Sequence, residues 1–308
     1  MKKKILITGG AGFIASHIAD AYIKAGHSVS IIDNLATGFT RNIPKKARFY
    51  KTDIRSLEQI ERIFKKEKPE VVNHHAAIAE VVKSVKNPLP TLEVNVLGTT
   101  NILLAFGKHG RGKHKKFIFS STGGAIYGEP KKIPADEKTP AIPLSPYGLS
   151  KLLGEEVIKF YARQYGFDYF IFRYPNVYGP RQNPKGEAGV VAIFGGLMKA
   201  GHRPTIFGDG TKARDYTHVT DIARANLITL TKGENEIINI GWGKKITDNM
   251  IFNAIAKEIN FEEKPHYAPY RKGEVYQIAL DARKAQKVLG WKPKIELREG
   301  IRKTLESI

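Results

Sequence analysis

The stretch KILITGGAGFIASHIADAYIKAG, residues 4–26, decides the fold of this chain. It starts with a short apolar run, turns through glycines, and continues with apolar residues at helical spacing as far as Gly26. A short apolar run bounded by glycine is typical of a buried strand, and the spacing after it is typical of an amphipathic helix. The chain therefore begins with a predicted strand–turn–helix unit.

The same alternation continues through the first half of the chain. Further predicted strands are SVSIID (28–33), PEVVNHHAA (69–77), KKFIFSS (115–121) and the start of DYFIFRYPNVYGP (168–180). Predicted helices are RSLEQIERIFKKE (55–67), TLEVNVLGTTNILLAFGKH (91–109) and SPYGLSKLLGEEVIKFYARQYG (145–166). Strands that alternate with helices predict an α/β protein with a Rossmann-type, doubly wound parallel sheet covered by helices on both faces.

The character of the sequence changes after about residue 175. Proline and glycine become frequent and the predicted elements become shorter, as in GPRQNPKGEAG (179–189). We expect a cofactor-binding domain over residues 1–174. Residues 175–308 are expected to form mainly a smaller, interleaved α/β substrate domain, with segments that return to the first domain.

The amino-acid composition restricts the kinds of molecule that the protein is expected to bind. The 308 residues carry a net charge of +20, but the lysines are scattered, and the densest run, KHGRGKHKK (108–116), is interpreted as a solvated loop rather than a nucleic-acid site. No apolar run reaches the ~18 residues of a membrane span. The chain has no cysteine, which excludes disulfides and Cys-based zinc sites and fits a cytoplasmic location. No metal, nucleic-acid or membrane partner is predicted.

The glycine-rich turn points to a dinucleotide. Gly9, Gly12 and Ala15 in TGGAGFIAS (8–16) allow a tight turn and a close approach to a pyrophosphate at the start of a helix. Asp33 ends the second predicted strand, where it can bind ribose hydroxyls and would repel a 2′-phosphate, so NAD is predicted rather than NADP. Asp53 either contacts the adenine amino group or caps the following helix.

Two stretches together predict a catalytic site. FSSTGGAIYGEP (119–130) places Ser121 and Thr122 at the carboxyl end of a strand, where doubly wound sheets carry ligand groups. SPYGLSK (145–151) places Tyr147 and Lys151 four residues apart on one helix face. A nearby ammonium can lower the pKa of a tyrosine by roughly 1–3 units. Tyr147 could then take a hydroxyl proton while hydride passes to a nicotinamide.

The chain resembles the extended short-chain dehydrogenase/reductases, and among them the nucleotide-sugar epimerases. The motifs that carry the resemblance are TGGAGFIAS, HHAA, SSTGGAIYG, YGLSK, RYPNVYGPRQ, RDYTHVTDIA and LGWKP, which span nearly the whole chain. The resemblance implies that Thr122, Tyr147 and Lys151 are catalytic, with Ser121 as an alternative hydroxyl. The cofactor-binding residues that it implies are Gly9, Gly12, Phe13, Ile14, Asp33, Asn34, Asp53, Ile54, Ala76, Ala77, Asn95, Tyr147, Lys151 and Tyr174. The substrate-binding residues that it implies are Ser121, Thr122, Asn176, Arg214, Arg271 and Ile278.

The residues after Thr122 narrow the reaction. In related enzymes that eliminate water or decarboxylate, acidic residues follow the catalytic Thr, whereas this chain has Gly123, Gly124 and Ala125 there. The resemblance therefore implies the simplest course, in which the 4-keto sugar turns over and the first oxidation is reversed. That reaction is 4-epimerisation of a UDP-hexose such as UDP-glucose or UDP-galactose.

Several alternatives stay open at this point. They are a UDP-glucuronate 4-epimerase, a related dehydratase or decarboxylase, and a non-catalytic NAD-binding protein, which the presence of Tyr147 and Lys151 disfavours. The resemblance also implies a homodimer built from helices of the NAD domain. In related enzymes the position of Ile278 helps to decide whether an N-acetyl sugar fits, and the resemblance therefore implies that Ile278 lines the sugar pocket. The alternative is that it is an apolar strand residue that serves only in packing.

Overall fold

The strands of the sheet form where the sequence has short apolar runs. The computed structural model describes residues 1–112, 114–185 and 189–308. In chain order they are β1 (Lys4–Thr8), β2 (Ser28–Asp33), β3 (Arg48–Lys51), β4 (Val71–His74), β5 (Lys116–Thr122), β6 (Asp168–Tyr174), β7 (Asn176–Tyr178), β8 (Thr205–Phe207), β9 (Ala213–Arg214), β10 (Tyr216–His218), β11 (Glu236–Asn239), β12 (Ile246–Thr247) and β13 (His266–Ala268). Seven of them form one sheet in the order β11-β6-β5-β4-β1-β2-β3. Every neighbouring pair in it is parallel, which confirms the predicted Rossmann-type architecture.

The helices pack on this sheet or on the shorter strands. In chain order they are α1 (Phe13–Lys24), α2 (Leu57–Glu67), α3 (Val81–Lys86), α4 (Pro88–Leu92), α5 (Thr99–His109), α6 (Gly123–Ile126), α7 (Pro146–Tyr165), α8 (Val190–Lys199), α9 (Val219–Ile228), α10 (Asp248–Ile259), α11 (Arg283–Leu289) and α12 (Leu297–Leu305). A 3-10 turn covers Thr40–Asn42, and a π-helical segment, Glu93–Gly98, joins α4 to α5.

Two apolar cores cover the two faces of the sheet. Along β1, Ile5 and Ile7 belong to the core that α1 and α9 complete, whereas Leu6 belongs to the core of α2, α5 and α7. This follows from the period of two along a strand, which sends neighbouring side chains to opposite faces. The continuous apolar runs of the strands are therefore explained by burial on both sides.

The chain after residue 175 contributes to two regions. Its strand β11 joins the main sheet beside β6, and α9 completes one of the two sheet cores. A third core lies apart from these, where Tyr178, Phe194, Ile206, Ile251 and Leu305 pack together. The carboxyl end of β6 continues into β7, which pairs with β10 of the later part of the chain. Asn176 of β7 lies beside Gly124 at the carboxyl end of β5, and the place where these two regions meet is the candidate ligand cleft.

One helix is longer than its pattern predicted. The apolar spacing indicated a helix over residues 91–109, but the helical stretch begins at Pro88 and widens into the π segment before α5. Within the described residues, this stretch, Pro88–His109, is long and apolar enough to cross a membrane by length and composition alone, with half of it buried inside the protein. A core helix of this kind shows the same properties.

Candidate active site

The glycine-rich turn after β1 lies directly against the residues that follow β4. Gly9 has a φ of +69°, and a Cβ built there would lie 2.7 Å from the backbone nitrogen of Ala76. Glycine meets both demands because it tolerates positive φ and has no side chain. Gly12 begins α1 with no side-chain cap, and it is partly exposed together with Phe13 and Ile14. An open, uncapped helix N-terminus of this kind favours a phosphate group.

Asp33 at the end of β2 faces the same turn. Its Oδ2 accepts a hydrogen bond from the backbone nitrogen of Ala11 at 3.0 Å, and its Oδ1 accepts one from Leu35 at 2.8 Å. A carboxylate offers about four acceptor sites, so unused ones remain for ribose hydroxyls. The turn and Asp33 together fit an NAD molecule, and the negative charge disfavours a 2′-phosphate at that place.

Asp53 lies beside Asn34 and not at a helix cap. Its Oδ2 accepts a hydrogen bond from Nδ2 of Asn34 at 3.1 Å, and Arg55 donates to both carboxylate oxygens. Those bonds from Arg55 lower the pKa of Asp53 to about 2. Ser56 precedes α2, so the capping role that the sequence left open for Asp53 is absent. Ile54, another predicted cofactor residue, is 5% exposed and packs in the core, which leaves only its backbone for a ligand.

Asn95, within the π-helical segment, ties the loop after β4 to α7. Its Nδ2 donates to the backbone oxygen of Ile78 and to Oγ of Ser150, both at 2.9 Å, and its Oδ1 accepts from the nitrogen of Ile78 at 2.8 Å. Both amide hydrogens are therefore used inside the protein. Asn95 acts in the structure by holding the loop that carries Ala76 and Ala77 against the glycine-rich turn.

Thr122, Tyr147 and Lys151 come together at the carboxyl end of β5. Ser145 caps α7, so Tyr147 lies in the first turn and Lys151 one turn later on the same face. The Thr122 hydroxyl lies near enough to the Tyr147 phenol to lower the phenol pKa. The Lys151 ammonium donates to the backbone oxygen of Ser120 at 2.7 Å. The structure thus brings the three predicted catalytic side chains to one place.

Burial controls the charges of these groups. It raises the pKa of the Tyr147 phenol to about 12, against a smaller lowering by the hydrogen bond with Thr122. It lowers the pKa of the Lys151 ammonium to about 7, and the negative charge of Glu155 opposes this. The expectation that Lys151 lowers the Tyr147 pKa is not met in the structure, where desolvation dominates and the only opposing contribution from the described residues is that of Thr122. The phenol therefore needs a further positive charge nearby before it can act as a base at neutral pH.

Ser121 faces away from this group, toward a buried ion pair. Its hydroxyl donates to Oε1 of Glu155 at 2.5 Å, and Arg173 donates to both oxygens of that carboxylate at 2.9 and 2.7 Å. The alternative that Ser121 is the reacting hydroxyl therefore finds no support in the geometry, and Thr122 is the hydroxyl beside the phenol. Glu155 was not among the predicted site residues, although its position four residues after Lys151 on the same helix is a usable signal.

His75 is a second residue at the site that was not among the predicted ones, although it belongs to the HHAA motif. Its ring stacks on Tyr174 with 5.9 Å between centroids, and the Tyr174 hydroxyl accepts a hydrogen bond from Asn226 at 2.7 Å. Burial and the charge of Lys151 lower the pKa of His75 to about 3, so the ring is neutral. Tyr174, a predicted cofactor residue, is 5% exposed and held between these two neighbours.

Asn176 lies at the start of β7, close to residues 120–128 at the end of β5, which are called the catalytic loop. Its Oδ1 is 3.3 Å from a Cβ built at Gly124, and its side chain lies near enough to the Tyr216 phenol to lower the phenol pKa against the larger effect of burial. Asn176 is partly exposed, so it can still contact a ligand. The position is consistent with the predicted substrate contact.

The two predicted phosphate-binding arginines share a carboxylate neighbour. Arg271 pairs with Glu274 at 2.5 Å, and Lys212 pairs with the other oxygen of Glu274 at 2.6 Å. Burial lowers the pKa of Arg214, and the negative charge of the same Glu274 is among those that oppose this. Arg214 also donates through Nη1 to the backbone oxygen of Tyr276 at 3.0 Å. Planar guanidinium groups suit bidentate contacts with phosphate, so these two groups, which share Glu274 as a neighbour, stay the predicted diphosphate-binding pair.

Ile278 differs from the other predicted substrate residues. It is 1% exposed and packs with Ile126, Tyr127 and Leu280 in a small apolar cluster. Its backbone nitrogen donates to the oxygen of Ala213 at 3.1 Å, which fixes the direction of the side chain. In the structure Ile278 offers no free surface to a ligand, so its gating role stays a prediction and its packing role is the one observed.

Comparisons with known proteins agree with this geometry. Residues 5–241 match the model of the NAD dependent epimerase/dehydratase family. The structure of UDP-glucose 4-epimerase with UDP-glucose from Thermotoga maritima is 47% identical and has a TM-score of 0.95, covering 98% of this chain and 97% of that one. The Thermus thermophilus UDP-glucose 4-epimerase in complex with NAD is 41% identical with a TM-score of 0.93, covering 98% of each chain.

Curated relatives show the same similarity over the full length. The UDP-glucose 4-epimerase of Mycolicibacterium smegmatis is 37% identical, covering 98% of this chain and 97% of the relative. The UDP-glucuronate 4-epimerase of Thermodesulfobacterium geofontis is 33% identical, covering 97% of this chain and 94% of the relative.

Proposed function

This chain belongs to the NAD dependent epimerase/dehydratase family, and from that premise we propose that it interconverts UDP-glucose and UDP-galactose by inverting C4 of the sugar. The observation that carries the proposal is the placement of Thr122, Tyr147 and Lys151 at one strand end, with no acidic side chain at residues 123–125. The site can remove and return a proton, and these three positions supply no group for elimination or decarboxylation.

NAD is the cofactor, and when bound it supplies a reversible hydride acceptor and a positive charge beside the phenol. The residues that would hold it are those around the glycine-rich turn together with Asp33, Asp53, Tyr174 and Lys151. Asp33 would bind the ribose through its unused acceptor sites, and the first amides of α1 would receive the pyrophosphate.

The chain's own residues carry the proton in both directions. Thr122 donates a hydrogen bond that holds O4 of the sugar, and Tyr147 takes the proton of that hydroxyl while the C4–H bond breaks with loss of hydride. Once the 4-keto sugar has turned its other face, Tyr147 would return its proton to O4 while the hydride that bound NAD would hold goes back to C4. NAD would then be regenerated in every cycle.

The second region binds the nucleotide part of the substrate. Arg214 and Arg271 receive the diphosphate, and Asn176 contacts the substrate between them and the catalytic loop. This supports the division in which residues 1–174 bind the cofactor and residues 175–308 mainly bind the substrate. That division remains part of the proposal.

A homodimer built on α7 is also part of the proposal. Leu149, Leu153 and Phe160 form an apolar stripe on α7 that is 43%, 38% and 54% exposed, and Leu97 of the neighbouring π segment is 53% exposed. A soluble chain rarely leaves such a stripe uncovered, and an antiparallel second copy would bury it. A cytoplasmic location remains a prediction from composition.

The test is product analysis with pure protein. UDP-glucose, UDP-galactose, their N-acetyl forms and UDP-glucuronate are incubated separately, and epimers are separated by chromatography. We expect conversion of UDP-glucose and UDP-galactose, with Tyr147→Phe as the inactive control. Conversion of UDP-glucuronate alone would replace the proposal with the activity of the T. geofontis relative.

A further inference from the structure

Gly124 is the open point of the catalytic loop. Of residues 120–128, all of which the structure describes, it alone is not buried. Its neighbours on both sides, Gly123 and Ala125, are packed inside the protein. The loop therefore presents one backbone position to the cleft.

The missing side chain of Gly124 would point at the reacting groups. A Cβ built there lies 3.3 Å from Oδ1 of Asn176 and 3.8 Å from Oγ1 of Thr122, with no other heavy atom nearby. A Cβ at Gly123 would instead lie 2.3 Å from a methyl group of Leu280. Gly123 is thus required by packing, whereas Gly124 leaves a space between the catalytic hydroxyl and the substrate-binding amide.

The backbone does not demand glycine at this position. Gly124 lies within the short helix α6 and has no positive φ. Alanine would restrict the unfolded chain more than glycine does, but its Cβ would press on Oδ1 of Asn176, which would have to shift by a few tenths of an ångström. Neither backbone strain nor a clash with the core requires glycine here, and among the described residues the only close side-chain contacts of the added methyl group within 4 Å are Asn176 and Thr122. The glycine therefore keeps the place between these two side chains clear.

We propose that Gly124 keeps open the volume in which the 4-keto sugar turns between the two hydride transfers. This inference rests on the proposed function. Both faces of C4 must meet the same Thr122 and Tyr147, so the ring has to move past the loop while its nucleotide end stays bound. A methyl group at residue 124 would lie in that path, beside the hydroxyl that holds O4.

The test separates the first hydride transfer from the turning of the sugar. The Gly124→Ala and Gly124→Ser variants are loaded with NAD and mixed with UDP-galactose. The fluorescence of the reduced nicotinamide measures the first hydride transfer, and chromatography measures the amount of epimer formed. One added methyl group in a pocket typically changes discrimination by about 10- to 200-fold. We expect epimer formation to fall by that factor in Gly124→Ala, with the first transfer changed by less than about 3-fold, and the reduced signal to persist longer.

Three results would overturn the inference. Equal losses in both steps would show that residue 124 affects binding or the first transfer, and unchanged rates would show that the space is not used. If Ile278→Tyr produced the selective loss and Gly124→Ala did not, the turning volume would lie at Ile278. Circular dichroism and bound NAD content check that the variants fold. A wild-type protein that neither reduces NAD nor forms an epimer would instead contradict the proposed function.

If Gly124→Ala does not fold, the wild-type protein still decides the matter. UDP-sugars with larger groups at C6 are compared with UDP-galactose in the same two measurements. Larger groups should slow epimer formation more than the first transfer, and parallel slowing of both steps would contradict the inference.

Discussion

The Lys151 ammonium donates to the backbone oxygen of Ser120 at 2.7 Å, which fixes α7 to the end of β5. The same burial that makes this contact possible lowers the Lys151 pKa to about 7, from its ordinary value of 10.5. Lys151 is therefore easier to deprotonate in the folded chain than in the unfolded one. This difference makes stability depend on pH.

We expect the unfolding free energy of NAD-free wild type to rise with pH between about 7 and 10, relative to Lys151→Met. In that window the unfolded chain binds one more proton at residue 151 than the folded chain, so each pH unit adds up to about 1.4 kcal/mol. Below pH 7 the folded chain carries the full free-energy cost of burying the charged Lys151 ammonium. Above the Lys151 pKa of the unfolded chain this cost is gone, because the side chain is neutral in both states. Thermal midpoints of both proteins across this range measure it, and parallel curves would contradict the low pKa.

Tyr147→Phe should abolish nearly all turnover and leave NAD binding intact. General acid–base groups contribute typically about 10²- to 10⁴-fold to the rate, and Thr122 alone cannot accept the proton. Initial rates with UDP-galactose and the NAD content of the purified variant provide the two readouts. Thr122→Val is the matched variant, with a smaller loss because it removes only the bond that holds O4. A Tyr147→Phe rate close to wild type would remove the phenol from its role.

Asp33→Asn should relax the preference for NAD over NADP by about 10-fold or more, because it removes a negative charge at the place of the 2′-phosphate. Asparagine can still accept the hydrogen bond from Ala11, so the turn should keep its shape. Competition of the two cofactors for refolded, cofactor-free protein measures the ratio. Asp53→Asn serves as the control, since Asp53 lies beside Asn34 and not at the turn. An unchanged ratio in Asp33→Asn would separate Asp33 from cofactor choice.

The parts that could be predicted from the sequence are those with a local signal. Apolar runs and glycines located the strands and the turn, and the spacing of Tyr147 and Lys151 placed both on one helix face. The bond from Ser121 to Glu155 could not be predicted, because it joins residues 34 positions apart in the chain. The predicted direction of the Tyr147 pKa shift was also wrong, because the shift depends on the total burial of the phenol and not on one neighbour.

Arg173→Met should destabilise the protein by about 3–5 kcal/mol, because Glu155 would be left charged and unpaired in the interior. Glu155 is fully buried, and Arg173 donates to both of its oxygens. The double variant Arg173→Met/Glu155→Leu should recover much of the loss, since it removes both charges. Thermal unfolding of the three proteins tests this, and a double variant less stable than the single one would show that the pair itself stabilises the fold.

The last prediction concerns the apolar stripe of α7. Leu153→Glu combined with Phe160→Glu places two charges on the surface that a second copy should cover, where an unpaired buried charge costs several kcal/mol. Light scattering after gel filtration should give twice the chain mass of 34.3 kDa for wild type and one chain mass for the variant. Met250→Glu is the matched control, because Met250 is 49% exposed on α10, away from the stripe. It should keep the wild-type mass. A double variant that stays dimeric, or a wild type that is already monomeric, would exclude this face as the interface.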